Sequence, residues 1–155
     1  MANSPAIDPV TGTVLPMPPS YSRGEDVGSE FGYWDDKRGP GPRVMAADTL
    51  EGDTVRNDAD EKLGELIHIM IDVPTGRVAY GVLSVGGFLG IGDKLFAIPW
   101  KALRLDTAIH GFRLNVSKEK LEAAEGFDPD AWPTMADQQW AERIHSYYEA
   151  EPYWR

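Results

Sequence analysis

Cysteine is absent from this chain of 155 residues. Without thiols the protein can form no disulfide framework, no thiolate metal site and no cysteine nucleophile. Its stability must therefore come from packing, and the hydrophobic share of 42% is enough for one modest core. The absence of cysteine also fits a reducing compartment, so we expect the protein in the cytoplasm.

Long apolar runs are missing as well. The longest weakly polar stretch, residues 78–92, is interrupted by five glycines and a serine. It is shorter than the ~20 apolar residues that a membrane-spanning helix needs. The first residues lack a basic start followed by an apolar run, so no secretory signal is expected. We therefore expect a soluble protein without a membrane span.

Positive charge is scarce, because 15 lysines and arginines face 25 aspartates and glutamates, for a net charge of -10. General binding to DNA or RNA relies on lysine and arginine to displace counterions from phosphates. The composition therefore predicts no nucleic-acid partner. Residues 125–155 are the most acidic part, with seven acidic and two basic side chains, and this excess favours solubility.

Composition divides the chain into three parts. Residues 1–42 hold seven of the twelve prolines and six glycines, without hydrophobic periodicity, which predicts a disordered tail. The aromatic stretch within it, residues 30–36, is expected to fold back on the domain or to contact a partner. Residues 43–124 are predicted to form the structured domain. Residues 125–155 are predicted to form an aromatic-rich strap and helix.

Short runs with alternating side chains fill the middle of the chain. Residues 66–71 and 78–83 are two such runs, and the sequence VPTG lies between them. Pro74 presets one turn dihedral and Gly76 supplies a positive φ, so the pattern predicts a hairpin. Five or six short strands with tight turns predict a small β-barrel or roll. The predicted core comprises Ile67, Ile69, Ile71, Val78, Tyr80, Val82, Phe96 and Ile98.

A short helix is predicted directly after the last strand. In the sequence SKEKLEAAEGF, Ser117 has the side chain of an N-cap and Gly126 is the predicted stop. The fold class is therefore mainly β, with this short helix after the barrel and a helical extension at the C-terminus.

The C-terminal extension is predicted to be a strap followed by a helix from about residue 136 to residue 148. Trp140, Ile144 and Tyr148 recur at four-residue intervals and would lie on one face of that helix. Trp132 and Met135 are the predicted anchors of the strap. Because seven of the sixteen aromatic residues lie in this segment, we expect it to cover its own barrel or a neighbour's.

The sequence GGFLGIGDKLFAIPW has the outer glycine spacing of a phosphate-binding loop without its chemistry. Gly92 is followed by Asp93, where a phosphate-binding loop needs a lysine, and a carboxylate at this point repels phosphate. After Lys94 the pattern predicts a strand, so no helix would supply N-terminal amides. We therefore predict that this glycine loop binds no nucleotide.

No catalytic or metal-binding pattern stands out. The sequence NDADEKLGE resembles a calcium loop, but it lacks the glycine and the closing glutamate of an EF-hand and is predicted to be a polar turn. There is no G-x-S-x-G elbow. We predict no cofactor, no metal and no catalytic residue. The alternative is a small-molecule-binding protein or an unrecognised hydrolase with a pocket near His68, Asp72 and Asp93.

Taken together, the segment from Gly52 to Asp106 resembles the PRC-barrel domains, a family named after the photosynthetic reaction centre. The resemblance rests on a G-x-x-V opening, LGEL, IDVPTGRVAY, the glycine loop and FAIPW, in this order. The sequence WPTMADQQWAERIHSYYEAEPYW near the end is similar to the longer stand-alone bacterial members. The resemblance implies a small β-barrel used for docking.

The family occurs in the reaction-centre H subunit and in a ribosome-maturation factor, where the barrel binds a ribosomal protein. It has no associated catalytic motif, so the resemblance implies a non-enzymatic binding or adaptor module with a protein partner. The sequence lacks a counterpart of the H subunit's transmembrane helix, so a direct photosynthetic role is not expected. Self-association as a homodimer is also predicted. The predicted binding residues are Phe88, Leu89, Ile91, Trp140 and Tyr148, although the first three could instead plug one end of the barrel.

Overall fold

The computed structural model describes residues 10–12, 44–86 and 92–155. By its internal contacts the chain divides into two compact units, Met1–Thr49 and Leu50–Arg155. All strands and both C-terminal helices described below belong to the second unit.

Two of the predictions fall outside these residues. The predicted tail, residues 1–42, is described only at residues 10–12, and Phe88, Leu89 and Ile91 of the glycine loop are not described. In the first unit, Thr49 donates two hydrogen bonds to the carbonyl of Ala46, one from its backbone N–H and one from its hydroxyl.

Within the described part of the chain, six strands form one sheet with two helices after it. The strand order is β4-β3-β2-β1-β6-β5. All neighbours are antiparallel except β1 and β6, which are parallel. The mainly β prediction is confirmed. The elements are α1 (Ala47–Leu50), β1 (Thr54–Arg56), β2 (Lys62–Asp72), β3 (Arg77–Val85), β4 (Lys94–Pro99), a 3-10 turn (Trp100–Ala102), β5 (Leu103–Asp106), β6 (Gly111–Leu114), α2 (Lys118–Glu122) and α3 (Gln138–Tyr147).

The predicted hairpin is formed by β2 and β3. Asp72 pairs with Arg77 across the turn, and Gly76 has a φ of 71°. This is the left-handed conformation that glycine adopts without steric cost, as predicted from the sequence VPTG.

The burial of β2 differs from the prediction toward the hairpin turn. Leu66 lies opposite Leu83 and His68 lies opposite Val82, so Ile67 is an extra residue that forms a β-bulge on β2. Beyond the bulge Ile69 lies opposite Gly81, on the same face as Leu66. The pairing with β1 ends at Glu65, and beyond it Ile67 and Ile69 are only half-buried and Ile71 is 52% exposed.

The remaining core predictions lie on β3 and β4. Tyr80, Val82, Phe96 and Ile98 are buried, as predicted. Val78 is half-buried, because it lies beside the hairpin turn. The difference in burial is therefore confined to β2 and the adjoining end of β3.

The concave side of the curled sheet is filled by side chains. A Cβ atom placed on Gly81 of β3 would lie 2.7 Å from Cδ1 of Leu66 and 2.7 Å from Cδ1 of Leu103. Because Leu103 belongs to β5, at the far end of the strand order, these distances show that the sheet curls far enough to bring a side chain of β5 against β3. The interior therefore has no space beside Gly81 for even a methyl group.

The C-terminal helix α3 packs on this chain's own sheet. Asp137 caps its start by accepting a hydrogen bond of 3.0 Å from the backbone N–H of Trp140. Trp140, Ile144 and Tyr148 are buried along one stripe, as predicted. The ring of Tyr80 on β3 contacts that of Trp140, with centroids 5.3 Å apart. The sequence predicts that this segment covers either its own barrel or a neighbour's, and in the structure it covers its own.

The strap before α3 is anchored differently from the prediction. Phe127 exchanges two backbone hydrogen bonds with Leu95 of β4, of 2.8 and 2.9 Å. Trp132 is 42% exposed, although its ring contacts that of Phe127 at 4.9 Å. Met135 is half-buried. The main anchor is therefore Phe127, which covers part of the free side of β4.

The predicted cap at Ser117 is confirmed, because its side chain accepts a hydrogen bond from the N–H of Lys120. The predicted stop at Gly126 is wrong, since α2 already ends at Glu122. A Cβ atom on Gly126 would lie 2.7 Å from the carbonyl oxygen of Leu95. Gly126 is therefore required for the close approach of the strap to β4 and does not end the helix.

A buried histidine and a half-buried aspartate give this domain opposite responses to pH. His145 on α3 is buried, its Nδ1 lies 2.7 Å from the carbonyl oxygen of Ala141, and burial lowers its pKa. One carboxylate oxygen of Asp53 is buried without a hydrogen-bond partner among the described residues, and burial raises the pKa of Asp53 to about 6. The unfolded chain thus binds the histidine proton more readily, whereas the folded chain binds the aspartate proton more readily.

Between pH 7 and pH 5, the contributions of His145 and Asp53 to the free energy of unfolding are expected to change in opposite directions. Asp53→Asn removes the aspartate contribution, so the free energy of unfolding should fall as the pH drops, by at most about 1.4 kcal/mol per pH unit. His145→Phe removes the histidine contribution, so the free energy of unfolding should rise as the pH drops. Urea denaturation at several pH values measures both slopes. Equal slopes in the two variants would contradict the assignment.

Candidate functional site

A cleft of about 450 Å³ lies where β2 begins and β3 ends. It is lined by residues 62–65, residues 84–86, Asp93 and Lys118. Gly64 forms part of its wall, and a Cβ atom there would lie 2.5 Å from the carbonyl oxygen of Ser84. The backbones of β2 and β3 are therefore in close contact at this point, and the lining is partly backbone.

The polar groups of the cleft mostly satisfy one another. The Ser84 hydroxyl lies 3.1 Å from Oδ2 of Asp93 and donates to it. Lys62 Nζ lies 3.2 Å from Oε1 of Glu65, and both side chains are about half exposed. No histidine is among the described residues that line the cleft, so within them Ser84 lacks the usual partner that activates a serine nucleophile.

The pocket suggested near His68, Asp72 and Asp93 is not formed. Asp93 lies in the cleft, whereas Asp72 lies at the hairpin turn and accepts a hydrogen bond from the Thr75 hydroxyl. The strand β2 separates these two ends by roughly 20 Å at about 3.3 Å per residue. His68 lies between them, with its ring 5.7 Å from that of Trp132. The three side chains therefore share no site.

The glycine loop continues into a strand, because β4 begins at Lys94. This agrees with the predicted absence of a helix after Gly92. The described flanks of the loop therefore lack the helix start that a phosphate-binding loop requires.

Two of the predicted binding residues are buried: Trp140 lies on α3 against Tyr80 of the sheet, and Tyr148 is the C-cap residue directly after α3. The hydroxyl of Tyr148 is buried without a hydrogen-bond partner within the described ranges. The other three, Phe88, Leu89 and Ile91, lie outside the described residues. The residues predicted for binding are thus not brought together on a described surface.

An apolar surface that the sequence did not predict lies at the far end of the β2–β3 hairpin. Ile71 is 52% exposed, and Val73 is 83% exposed. Trp132 from the strap, which is 42% exposed, lies against His68, and His68 is on the opposite face of β2 from Ile71. We call Ile71 and Val73 the hairpin surface. The available signal was the uncharged sequence IHIMI, whose three isoleucines the alternation places in the predicted core.

The backbone of β2 is paired on both sides only over its first part. Strand β1 pairs with it from Lys62 to Glu65, and Gly52 donates a hydrogen bond of 2.5 Å to the carbonyl of Leu66. From residue 67 to residue 72, β2 has β3 on one side. On the other side, no described residue forms a backbone hydrogen bond with it. We call residues 67–72 on this side the free edge.

The opposite end of the sheet carries a network of paired charges. Arg113 of β6 contacts Oδ2 of Asp106 at 3.0 Å and Oδ1 of Asp60 at 2.9 Å, and it donates to the carbonyl of Asn57. These contacts hold the pKa of Asp106 below its usual range. The turn between β1 and β2 is thereby tied to β6. Of the sequence NDADEKLGE, predicted to be a polar turn, residues 57–61 form the turn and residues 62–65 already belong to β2.

Two further findings concern the part of the chain that the structure describes. It contains no group of three or more histidine, aspartate or glutamate side chains placed to hold a metal ion. It also contains no helix that is long and apolar enough to cross a membrane.

Comparison with known proteins identifies the family to which this chain belongs. Residues 42–121 match the PRC-barrel domain, and no curated protein matches the chain. Among solved structures, the chain is similar to a putative 16S ribosomal RNA processing protein, RimM, from Pseudomonas aeruginosa. The two are 20% identical with a TM-score of 0.34, over 48% of this chain and 45% of that chain. The chain therefore spans less than half of that protein's length. The family match covers half of the chain, in the order of motifs noted in the sequence, and this protein belongs to the PRC-barrel domain family.

Proposed function

We propose that this chain is a non-enzymatic binding or adaptor module that recognises another protein. The observation that carries the proposal is the exposed hairpin surface beside a filled barrel. Apolar side chains as exposed as Val73 and Ile71 are costly to leave in water and mark interaction sites when they are contiguous. An enzyme or a carrier of small molecules would instead need a concave pocket with converging polar groups.

The charges favour a protein over a nucleic acid as the partner. Five of the basic side chains among the described residues are already paired with carboxylates: Lys62, Lys101, Arg104, Arg113 and Arg143. With a net charge of -10, too few cations remain to displace counterions from phosphates. The proposed partner is thus a protein with an apolar contact patch, met in the cytoplasm and without a cofactor.

Replacing Val73 by Asp is expected to weaken partner binding at least about tenfold, since a charge would be buried at the centre of an apolar contact. Val73 lies in the hairpin turn, so the fold should tolerate the change. Leu105→Asp on β5, also at an exposed apolar position, is the matched control and should bind normally. The measurement is affinity capture from the native cell with quantitative mass spectrometry. Equal capture by both variants would argue against the hairpin surface.

A further inference from the structure

The free edge presents unpaired backbone groups next to exposed apolar side chains. Pairing of β1 with β2 ends at Glu65, and Leu66 is the last residue bonded on that side, to Gly52 and Asp53. Beyond it, every second residue directs an N–H and a C=O group away from β3. Such an edge is a template for a further strand.

This edge lacks the features that normally prevent strands from joining. Residues 67–71 contain no lysine, proline, glycine or formal charge, and Ile71 is half exposed. The outer side of β4 differs, because Phe127 of the strap is bonded to Leu95 there. One end of the sheet is therefore covered by the chain itself, whereas the free edge has no cover among the described residues.

The sequence of the free edge is complementary to itself. In an antiparallel pair with a twofold axis at Met70, Ile69 lies opposite Ile71 of the other copy. In the same register, His68 lies opposite Asp72. Apolar side chains then face apolar ones, an imidazole faces a carboxylate, and no like charges meet, which is the favourable pattern for cross-strand pairs. The bulged residue Ile67 remains outside the paired segment.

We propose that the free edge pairs with the same edge of a second copy of this chain, which forms a twofold homodimer with a continuous sheet. The inference goes beyond the proposed function, because it names one partner and the backbone that binds it. A closed twofold contact of this kind uses one patch on both copies and leaves no open end for growth. In the dimer the two hairpin surfaces lie on either side of the axis.

The absence of cysteine makes a direct test possible. In the proposed pair the two residues at position 70 face each other across the axis, with Cβ atoms about 4.5–5.5 Å apart. A disulfide needs a Cβ separation of about 3.5–4.5 Å, so a small adjustment suffices. With Met70→Cys as the only cysteine, mild oxidation is expected to convert most of the protein to a covalent dimer on a non-reducing gel.

Val73→Cys is the matched control. Its side chain is 83% exposed, so random collisions would oxidise it more readily than a cysteine at the half-buried position 70. In the proposed register, however, the two residues at position 73 are six positions apart along the ladder, roughly 20 Å. It should stay mainly monomeric. Crosslinking of Val73→Cys equal to or above that of Met70→Cys would overturn the register and the proposal.

Light scattering tests the dimer without a crosslink. The unmodified chain is expected at twice its monomer mass, and Met70→Lys is expected to raise the dissociation constant at least about tenfold. Leu89→Asp should leave the dimer intact, although the sequence had suggested self-association through Phe88, Leu89 and Ile91. Loss of the dimer in Leu89→Asp but not in Met70→Lys would place the contact on the glycine loop. If Met70→Lys does not fold, the two cysteine variants decide alone.

Other occupants of the free edge lead to different results. A foreign strand, or a strand from residues 13–43 of this chain, would leave the purified protein monomeric and Met70→Cys uncrosslinked, and either result refutes the dimer. The proposed function is tested separately by the Val73→Asp capture experiment. A monomer that still captures its partner would refute only the dimer, whereas a dimer with no partner would refute only the adaptor role.

Discussion

Removal of residues 127–155 is expected to leave the barrel mostly unfolded at room temperature. The truncation uncovers the side of β3 and β4 that carries Tyr80, and it removes the buried side chains of Trp140, Ile144 and Tyr148. Burial of each such side chain contributes about 1.5–3 kcal/mol. Their combined loss is comparable to the roughly 5–15 kcal/mol that stabilises a whole domain.

Circular dichroism and thermal melting of the truncated and full-length chains measure this effect. Supplying residues 127–155 as a separate peptide should restore part of the folded signal, because the peptide carries the complete α3 helix and its aromatic stripe. Deletion of Arg155 alone, at an exposed position, is the control and should melt like the full chain. A truncated protein that is monomeric and melts normally would show that the strap and α3 contribute little.

Replacing Tyr80 by Ala is expected to lower the free energy of unfolding by about 3–5 kcal/mol, the usual cost of deleting a large buried ring. Tyr80 is fully buried on β3. Its ring centroid lies 5.3 Å from those of Trp140 and His145 and 5.7 Å from that of Tyr153. The cavity left by alanine would therefore be lined by rings from the C-terminal segment, which cannot all move inward. Urea denaturation measures the loss.

The variant Tyr80→Phe separates the contribution of the ring to stability from that of the hydroxyl. The hydroxyl is buried without a hydrogen-bond partner within the described part of the chain, and burial raises its pKa. Removing an unsatisfied buried hydroxyl should leave stability unchanged or raise it by up to about 1 kcal/mol. A loss above about 1 kcal/mol in this variant would mean that the hydroxyl has a partner, such as an ordered water molecule.

The features that were predictable from the sequence depend on neighbouring residues. The hairpin turn at Gly76, the cap at Ser117 and the buried stripe from Trp140 to Tyr148 each involve residues only a few positions apart. Their conformation follows from local dihedral preferences and from helical periodicity. The family motifs were also recognisable in order, so the fold could be predicted without the structure.

The exposure of β2 was not predictable in the same way. Whether Ile69 and Ile71 are covered depends on how far β1 extends along β2, and no residue type marks this in the sequence. The alternation of Ile67, Ile69 and Ile71 consequently indicates a shared face but not its exposure. In the sequence, a glycine that ends a helix cannot be distinguished from a glycine that permits a close approach of two backbones. The predicted role of Gly126 as a helix stop was therefore wrong.

The candidate site was hidden for a related reason. A strand that is paired on both sides and a strand with a free edge can have the same apolar composition. What distinguishes them is how far the neighbouring strand extends. Here β1 begins only at Thr54, opposite Glu65, and therefore does not extend along residues 67–72. The expected site near Asp72 and Asp93 failed because residues at opposite ends of a long strand cannot converge.

The parallel pairing of β1 with β6 has a consequence for the order of folding. Val55 and Phe112 are opposite each other in this pair, although they come from opposite ends of the barrel sequence. Strands β2, β3 and β4 follow one another along the chain, so their pairing closes only short loops. The pairing of β1 with β6 closes a long loop, which costs more conformational entropy. During synthesis β1 leaves the ribosome well before β6 exists. The growing chain therefore carries a second unpaired strand edge, on β1, until the last strand of the sheet arrives.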